Sequence, residues 1–365
     1  MKITFKRDKD QIELVKAMGS KDPAKAAEAQ QAMAAFMRPI MSEVINTAPG
    51  IASVFKKEVY NADDSPSIPV DLFSDITDED FIKVYSQSMP GGLPSNTITA
   101  SSAEMKVQPY SIDSAVNFDK KYAAKSRLDV VAKAFARLGQ EVMLKQDRTS
   151  ANLLLGTLGD NAATQLQSSV TTSLGIADFN ALTVLAKRVN ASWNKGTPVG
   201  RTGGVTDLWM SPERMADLRR MAYNPINTVG AAQIAAAADS GVITAPDAIR
   251  QKLFNGGGLS EFYGFAIHEI NELGKAQRYS KIFNQVYGTF NATADDLVLA
   301  LDLSGDGILR YVSSDPDTNS EVSLQVDDQY VSRQQRIGYY LNLEEARLIL
   351  DRRVIFGIKV ANAAT

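Results

Sequence analysis

The sequence predicts an α+β protein, and three observations carry that prediction. From Ser126 to about Leu155, the residues Leu128, Val131, Phe135, Leu138 and Val142 recur at spacings of three and four, the period of a helix with one buried face. Tyr110, Ile112, Val116 and Phe118 alternate instead, the period of a strand with one buried face. Strand-like apolar runs recur at 297–303, 308–312, 322–326 and 354–360.

The composition narrows the function. The chain has 365 residues, enough for a sizeable core and two or three lobes. A net charge of −3 shows no basic excess of the kind that marks a nucleic-acid binder. The absence of cysteine excludes disulfides, thiolate zinc sites and cysteine nucleophiles. His268 is the single histidine, so a histidine metal cluster is excluded and a Ser-His-Asp triad would have to use that residue. No cofactor or metal is expected. No apolar run approaches ~18 residues, so no membrane span is expected. The start, MKITFKRDKD, has no apolar signal core.

Taken in order, residues 1–60 read as a helical arm. Asp22 is placed to cap a helix with Pro23 at its first position. Met33, Phe36, Met37, Ile40, Val44 and Ile45 form its apolar stripe, and Pro39 should kink or split it. Residues 1–25 are net basic, which suits a solvated face or contact with an acidic surface. Residues 61–119 read as a long two-stranded excursion, with Ile68, Val70 and Leu72 alternating on the way out and 110–118 on the way back. Its tip, 86–102, is rich in Ser, Pro, Gly and Thr and includes Pro90, Gly91, Gly92 and Pro94. Acids crowd 63–80, Asp78, Glu79 and Asp80 among them, while Lys120, Lys121 and Arg127 follow the excursion. This pattern suits either solubility or complementary charge between copies.

The helix from Ser126 sets Asp129, Lys133, Arg137, Glu141 and Lys145 opposite its apolar stripe. Ser126 and Asp129 resemble a capping box, Gly139 allows a bend, and Gly156 and Gly159 should end the helix. At ~1.5 Å per residue it would be about 43 Å long, so it needs a partner surface along its length. A second helix is expected over 178–191, with Phe179, Leu182, Leu185 and Val189 on one face. The glycine-rich 196–204 lacks a P-loop ending. A strand at 207–210 leads through Ser211 and Pro212 into a helix with Met215, Leu218 and Met221 inward. Residues 262–270 read as one strand containing a glycine. The runs 297–303 and 308–312 read as a hairpin closed by Ser304-Gly305-Asp306-Gly307, whose weak calcium-loop likeness fails at Ser313, where a bidentate Glu is needed.

This order of elements resembles the major capsid proteins of tailed bacteriophages, the Hong Kong 97-type fold. The likeness is best in LWMSPERMADLRRM (208–221), FYGFAIHEINELGKA (262–276), DDLVLALDLSGDGILR (295–310) and VSRQQRIGYYLNLEEARLILDRRVIFGIKV (331–360). The resemblance implies an N-terminal arm (1–60), an E-loop (61–119), a peripheral domain with a spine helix at 126–155 (120–204), an axial domain (205–330) and returning peripheral strands (331–365). The E-loop tip, Pro90 to Pro94, would touch a neighbouring subunit. The Ala-rich stretch 231–238 and the segment 277–290 are longer than the family minimum.

The implied function is structural rather than enzymatic: homo-hexamers and homo-pentamers closing an icosahedral shell around double-stranded DNA, in a virion assembled in bacterial cytoplasm. Implied partners are a portal protein, a separate scaffolding protein, a decoration protein and packaged DNA held by weak non-specific contact. With about 60 residues ahead of the E-loop, no cleaved scaffolding segment is expected. Residues 86–102 hold no lysine, so lysine crosslinking is not carried over. An encapsulin-like compartment shares the fold, but the long 61–119 stretch favours a virus. A hydrolase using His268 with Ser260 or Asp302 is the reading from another class; no GxSxG elbow supports it.

Overall fold

A computed structural model describes residues 8–47, 50–61, 66–69, 104–193, 204–223, 261–315, 320–327 and 334–363. The expectations at 70–103, which include Asp78–Asp80 and Pro90–Pro94, fall outside these residues, as do those for 196–203 and 227–240. Among these residues the chain forms two compact units, one from 8–69, 104–151 and 308–348, the other from 152–307 and 349–363.

The first unit begins with two helices, α1 (Lys9–Met18) and α2 (Pro23–Asn46). Asp22 caps α2 by accepting from the Ala24 N–H at 3.2 Å. Met33, Met37, Met41 and Ile45 are buried, while Phe36 is 46% exposed, so the expected stripe is rotated by one position. Contrary to expectation, Pro39 does not split α2. Ala35 and Pro39 are both exposed, so water can satisfy the Ala35 carbonyl that the proline leaves unbonded. These helices belong to the unit's core, where Val15, Met18 and Met37 lie with Phe135 and Tyr339.

Five strands make this unit's sheet: β1 (Lys56–Asn61), β4 (Tyr110–Asp119), β10 (Ile308–Ser314), β11 (Ser323–Asp327) and β12 (Arg336–Ile349). β1 runs parallel to β10, and β12 is antiparallel to both β11 and β4. β4 pairs with β12 over its whole length, so it is a sheet strand. The two-stranded excursion is instead based on β2 (Ser67–Pro69) and β3 (Glu104–Lys106), which are antiparallel.

After a short α3 (Lys120–Ala124), α4 spans Leu128–Asp160. Leu128, Val131, Phe135, Leu138 and Val142 are buried as expected. Ser126 does not cap α4: it has φ +52° and precedes the helix by two residues, outside the extended backbone of an N-cap. Gly156 and Gly159 do not stop α4. Burial of Leu154, Leu155 and Leu158 outweighs their cost of about 1 kcal/mol each.

The second unit holds a six-stranded sheet in the order β5 (Leu166–Ser169), β13 (Ile355–Val360), β9 (Asp296–Leu301), β6 (Asp207–Met210), β8 (Phe265–Glu269), β7 (Glu261–Phe262). Every residue of β9 is buried, which marks a central strand covered on both faces. The helices α5 (Ala162–Gln165), α6 (Ile176–Trp193), α7 (Pro212–Tyr223) and α8 (Arg278–Val286) complete it. Phe179, Leu182, Met215 and Leu218 pack with Val298, Phe356 and Ile358.

Two further expectations need correction. Residues 262–270 are a hairpin, turned at Tyr263 and Gly264, both with positive φ as in a type I′ turn. Residues 297–312 are not a hairpin. β9 pairs with β6 and β13, whereas β10 pairs with β1 in the other unit's sheet. Both strands are apolar and short, and local pattern cannot tell a turn from a passage between sheets.

Candidate functional site

His268 is the residue on which a hydrolase reading would depend. Its Nε2 lies 2.8 Å from Asp207 Oδ1, across adjacent parallel strands. Its ring stacks on Trp209 with centroids 4.2 Å apart. Asp302 is engaged elsewhere: its Oδ1 accepts from the Ser304 N–H and hydroxyl at 3.0 and 2.6 Å, forming an Asx turn. Ser260 lies outside the described residues. Among the described residues, no three His, Cys, Asp or Glu side chains converge on a metal position, and no helix is long and apolar enough to cross a membrane.

Other buried polar clusters brace the fold. In the second unit Ser211 caps α7: its Oγ accepts from the Arg214 N–H and donates to Asp296 Oδ2 at 2.6 Å. Arg214 Nε donates to the same carboxylate at 2.9 Å. Burial raises the Asp296 carboxyl above its ordinary value, and Ser211 and Arg214 oppose that rise.

The first unit contains a larger network centred on Glu345, which is fully buried. Arg310 Nε and Arg347 Nε donate to its two oxygens at 2.7 and 2.9 Å, Gln146 donates at 3.1 Å and Tyr110 at 3.0 Å. Arg347 also donates to Ser150. Burial alone would raise the Glu345 pKa, but the two arginines outweigh it and hold the carboxyl below its ordinary value. Sequence reasoning missed this cluster. Its signal was present: in the alternating run 337–347, Glu345 and Arg347 fall on the inward side with Ile337, Tyr339, Leu341 and Leu343.

The expected contact residues are distributed unevenly. Lys121 and Arg127 are exposed, and Lys121 Nζ is 3.1 Å from Asp119 Oδ2. Arg336 reaches the same carboxylate at 3.5 Å. Lys120 is half-buried, and its N–H donates to the Gln335 carbonyl at 2.9 Å. A groove that the sequence did not disclose lies between β4 and α4. Its volume is about 610 Å³, and Val116, Asn117, Val130, Lys133, Ala134 and Arg137 are among its walls.

No family profile matches the sequence, and no curated protein matches it. Solved structures similar in fold are mostly phage capsids. The capsid of cyanophage Pam1 is 11% identical, with 86% of this chain and 90% of that chain covered and a TM-score of 0.48. The capsid of cyanophage P-SCSP1u is 13% identical, with 86% and 87% covered and a TM-score of 0.42. The encapsulin complex SrpI of Synechococcus elongatus is 10% identical, with 73% and 79% covered and a TM-score of 0.41.

Proposed function

We propose that this chain is the shell-forming subunit of a phage head with the Hong Kong 97-type fold, and that its role is mechanical rather than catalytic. One observation carries the reading: the chain order within the described residues. A packed helical pair is followed by an antiparallel excursion at β2 and β3. β4 then leads through α3 into a 33-residue helix whose residues 128–151 belong to one compact unit and 152–160 to the other. The later strands return to both units, β10 to β12 in the first and β13 in the second.

Identical copies with one repeated heterologous contact close into rings when the rotation fits, and rings tile a shell. The excursion that leaves at β2 and returns at β3 supplies that contact by reaching a neighbour, with the tip Pro90–Pro94 and the acids Asp78, Glu79 and Asp80 as its touching parts. The spine helix supplies the rigid bar. Packaged DNA, a portal and a separate scaffolding protein are the partners proposed for this role, and a decoration protein is a further candidate.

The test is negative-stain microscopy of the chain expressed alone and with its neighbouring genes. Closed polyhedral shells, or rings of five and six, are expected. A uniform monomer or dimer in both preparations would overturn the reading.

A further inference from the structure

We propose that double-stranded DNA binds this chain through its phosphates at a basic surface of the first unit, where the end of α1 packs on α3. The proposal rests on the shell reading, which supplies the DNA, and assigns that partner a surface.

Two segments far apart in sequence make this surface. α1 packs on α3. Gly19, the C-cap of α1, lies so close to Ala124 that a Cβ on it would clash with the Ala124 backbone. That contact brings Lys16, Lys21 and Lys25 to the same region as Lys120, Lys121, Lys125 and Arg127. Over 16–25 and 119–127 the chain carries seven cations and two acids, although its net charge is −3. Neither acid is spare. Asp22 caps α2 by accepting from the Ala24 N–H, and Asp119 is shared by Lys121 and Arg336. Lys16, Lys21, Lys25, Lys125 and Arg127 are exposed, and among the described residues no ion pair engages them.

The turn after α3 holds two of these cations in place. The Ser126 N–H donates to the Ala123 carbonyl at 2.8 Å and the Arg127 N–H to the Tyr122 carbonyl at 2.9 Å, the two bonds of a Schellman turn. Ser126 takes the positive φ, +52°, that such a turn requires and that glycine usually supplies. Lys125 and Arg127 flank it on a fixed backbone. A helix end is satisfied by one nearby cation, and Lys16 in α1 and Lys121 in α3 meet that need. Lys21, Lys25, Lys120, Lys125 and Arg127 exceed it.

The partner follows from what accompanies the charge. A protein partner needs an apolar centre for its interface. Here Val15, Met18 and Leu128 are buried. Tyr122 is 37% exposed, but the Lys121 ammonium lies over its ring, 5.1 Å from the centroid. Exposed cations without an apolar centre suit a partner whose charge repeats along its length and whose contacts carry no sequence information, as DNA phosphates do. Lysines predominate, and a lysine meets phosphate as a mobile point charge rather than a fixed fork. One small patch of this kind holds DNA loosely, with a Kd of about 10⁻⁴–10⁻⁶ M at physiological salt.

The test is fluorescence anisotropy of a short labelled duplex of mixed sequence, titrated with the full-length chain between about 50 and 200 mM salt. Binding that weakens as salt rises is expected. Lys121→Gln with Lys125→Gln and Arg127→Gln should weaken it about tenfold at the lower salt and flatten the log–log salt slope by about 2–3. The charge-preserving set Lys121→Arg, Lys125→Arg and Arg127→Lys should stay within about twofold of the unsubstituted chain. So should Lys187→Gln with Arg188→Gln, a pair exposed on α6 in the second unit. All the substituted side chains are exposed, so helix content by circular dichroism should not change. No salt-dependent binding at the lower salt, or equal losses from the α3 and α6 sets, overturns the proposal. Equally tight binding of polyglutamate overturns it in favour of an acidic protein. Negative-stain microscopy separates this outcome from the shell reading: shells from a chain that fails the DNA test overturn the patch alone. Absence of shells and rings from the unsubstituted chain overturns both, because it removes the source of the DNA.

Discussion

Glu345 shows what a single side chain does in this protein. It joins β12, β10, β4 and α4 through Arg347, Arg310, Tyr110 and Gln146. Removing its charge leaves two buried arginines without their counter-ion, so Glu345→Gln should cost about 3–5 kcal/mol in urea unfolding of the isolated subunit. The pH dependence has a definite sign. The folded pKa is lowered, so the contribution is complete above the ordinary carboxylate range and is lost as pH falls through the folded value. Glu345→Gln should flatten that acid-side loss. Glycines in α4 give a second test. A Cβ on Gly159 would clash with the Val286 side chain, whereas one on Gly156 would have nothing within 4 Å. Gly156→Ala should stabilise by about 0.5–1 kcal/mol and Gly159→Ala destabilise by about 1–3 kcal/mol, measured by thermal unfolding. Val286→Ala should remove most of the second penalty. The two glycines look alike in sequence because Val286, which crowds only Gly159, comes from a distant part of the chain.

At the scale of elements, periodicity was legible and junctions were not. The stripe of α4, the alternation of β4 and the entry to α7 at Ser211 follow from local spacing. The end of α4 depended on long-range burial of Leu154, Leu155 and Leu158. The segment 302–307 depended on which sheet each flanking strand joined. Pro39 belongs at this scale as well. α2 retains it because the unbonded Ala35 carbonyl faces water, although a mid-helix proline is intrinsically unfavourable. Pro39→Ala should therefore stabilise α2 by about 1–3 kcal/mol, read as a higher urea midpoint with little change in slope.

For the whole molecule, the contacts fall into two compact units, and among the described residues 308–348 join the first and 349–363 the second. The arm expected over 1–60 is, over 8–47, a helical pair built into the first unit's core. On the proposed reading, assembly depends on the excursion that β2 and β3 begin and close, and particle formation tests it.

Sequence alone determined the class of the protein, its long amphipathic helix and the absence of cysteine chemistry, because composition and short-range period report these directly. It also showed the acids crowded over 63–80, since a dense local charge needs no fold to be seen. Only the tertiary structure decided where two α4 glycines fit, which sheet each apolar strand entered and how Glu345 meets its arginines. Each of these is set by packing between residues tens to hundreds of positions apart, where the energy lies in burial and in mutual hydrogen bonding rather than in local preference.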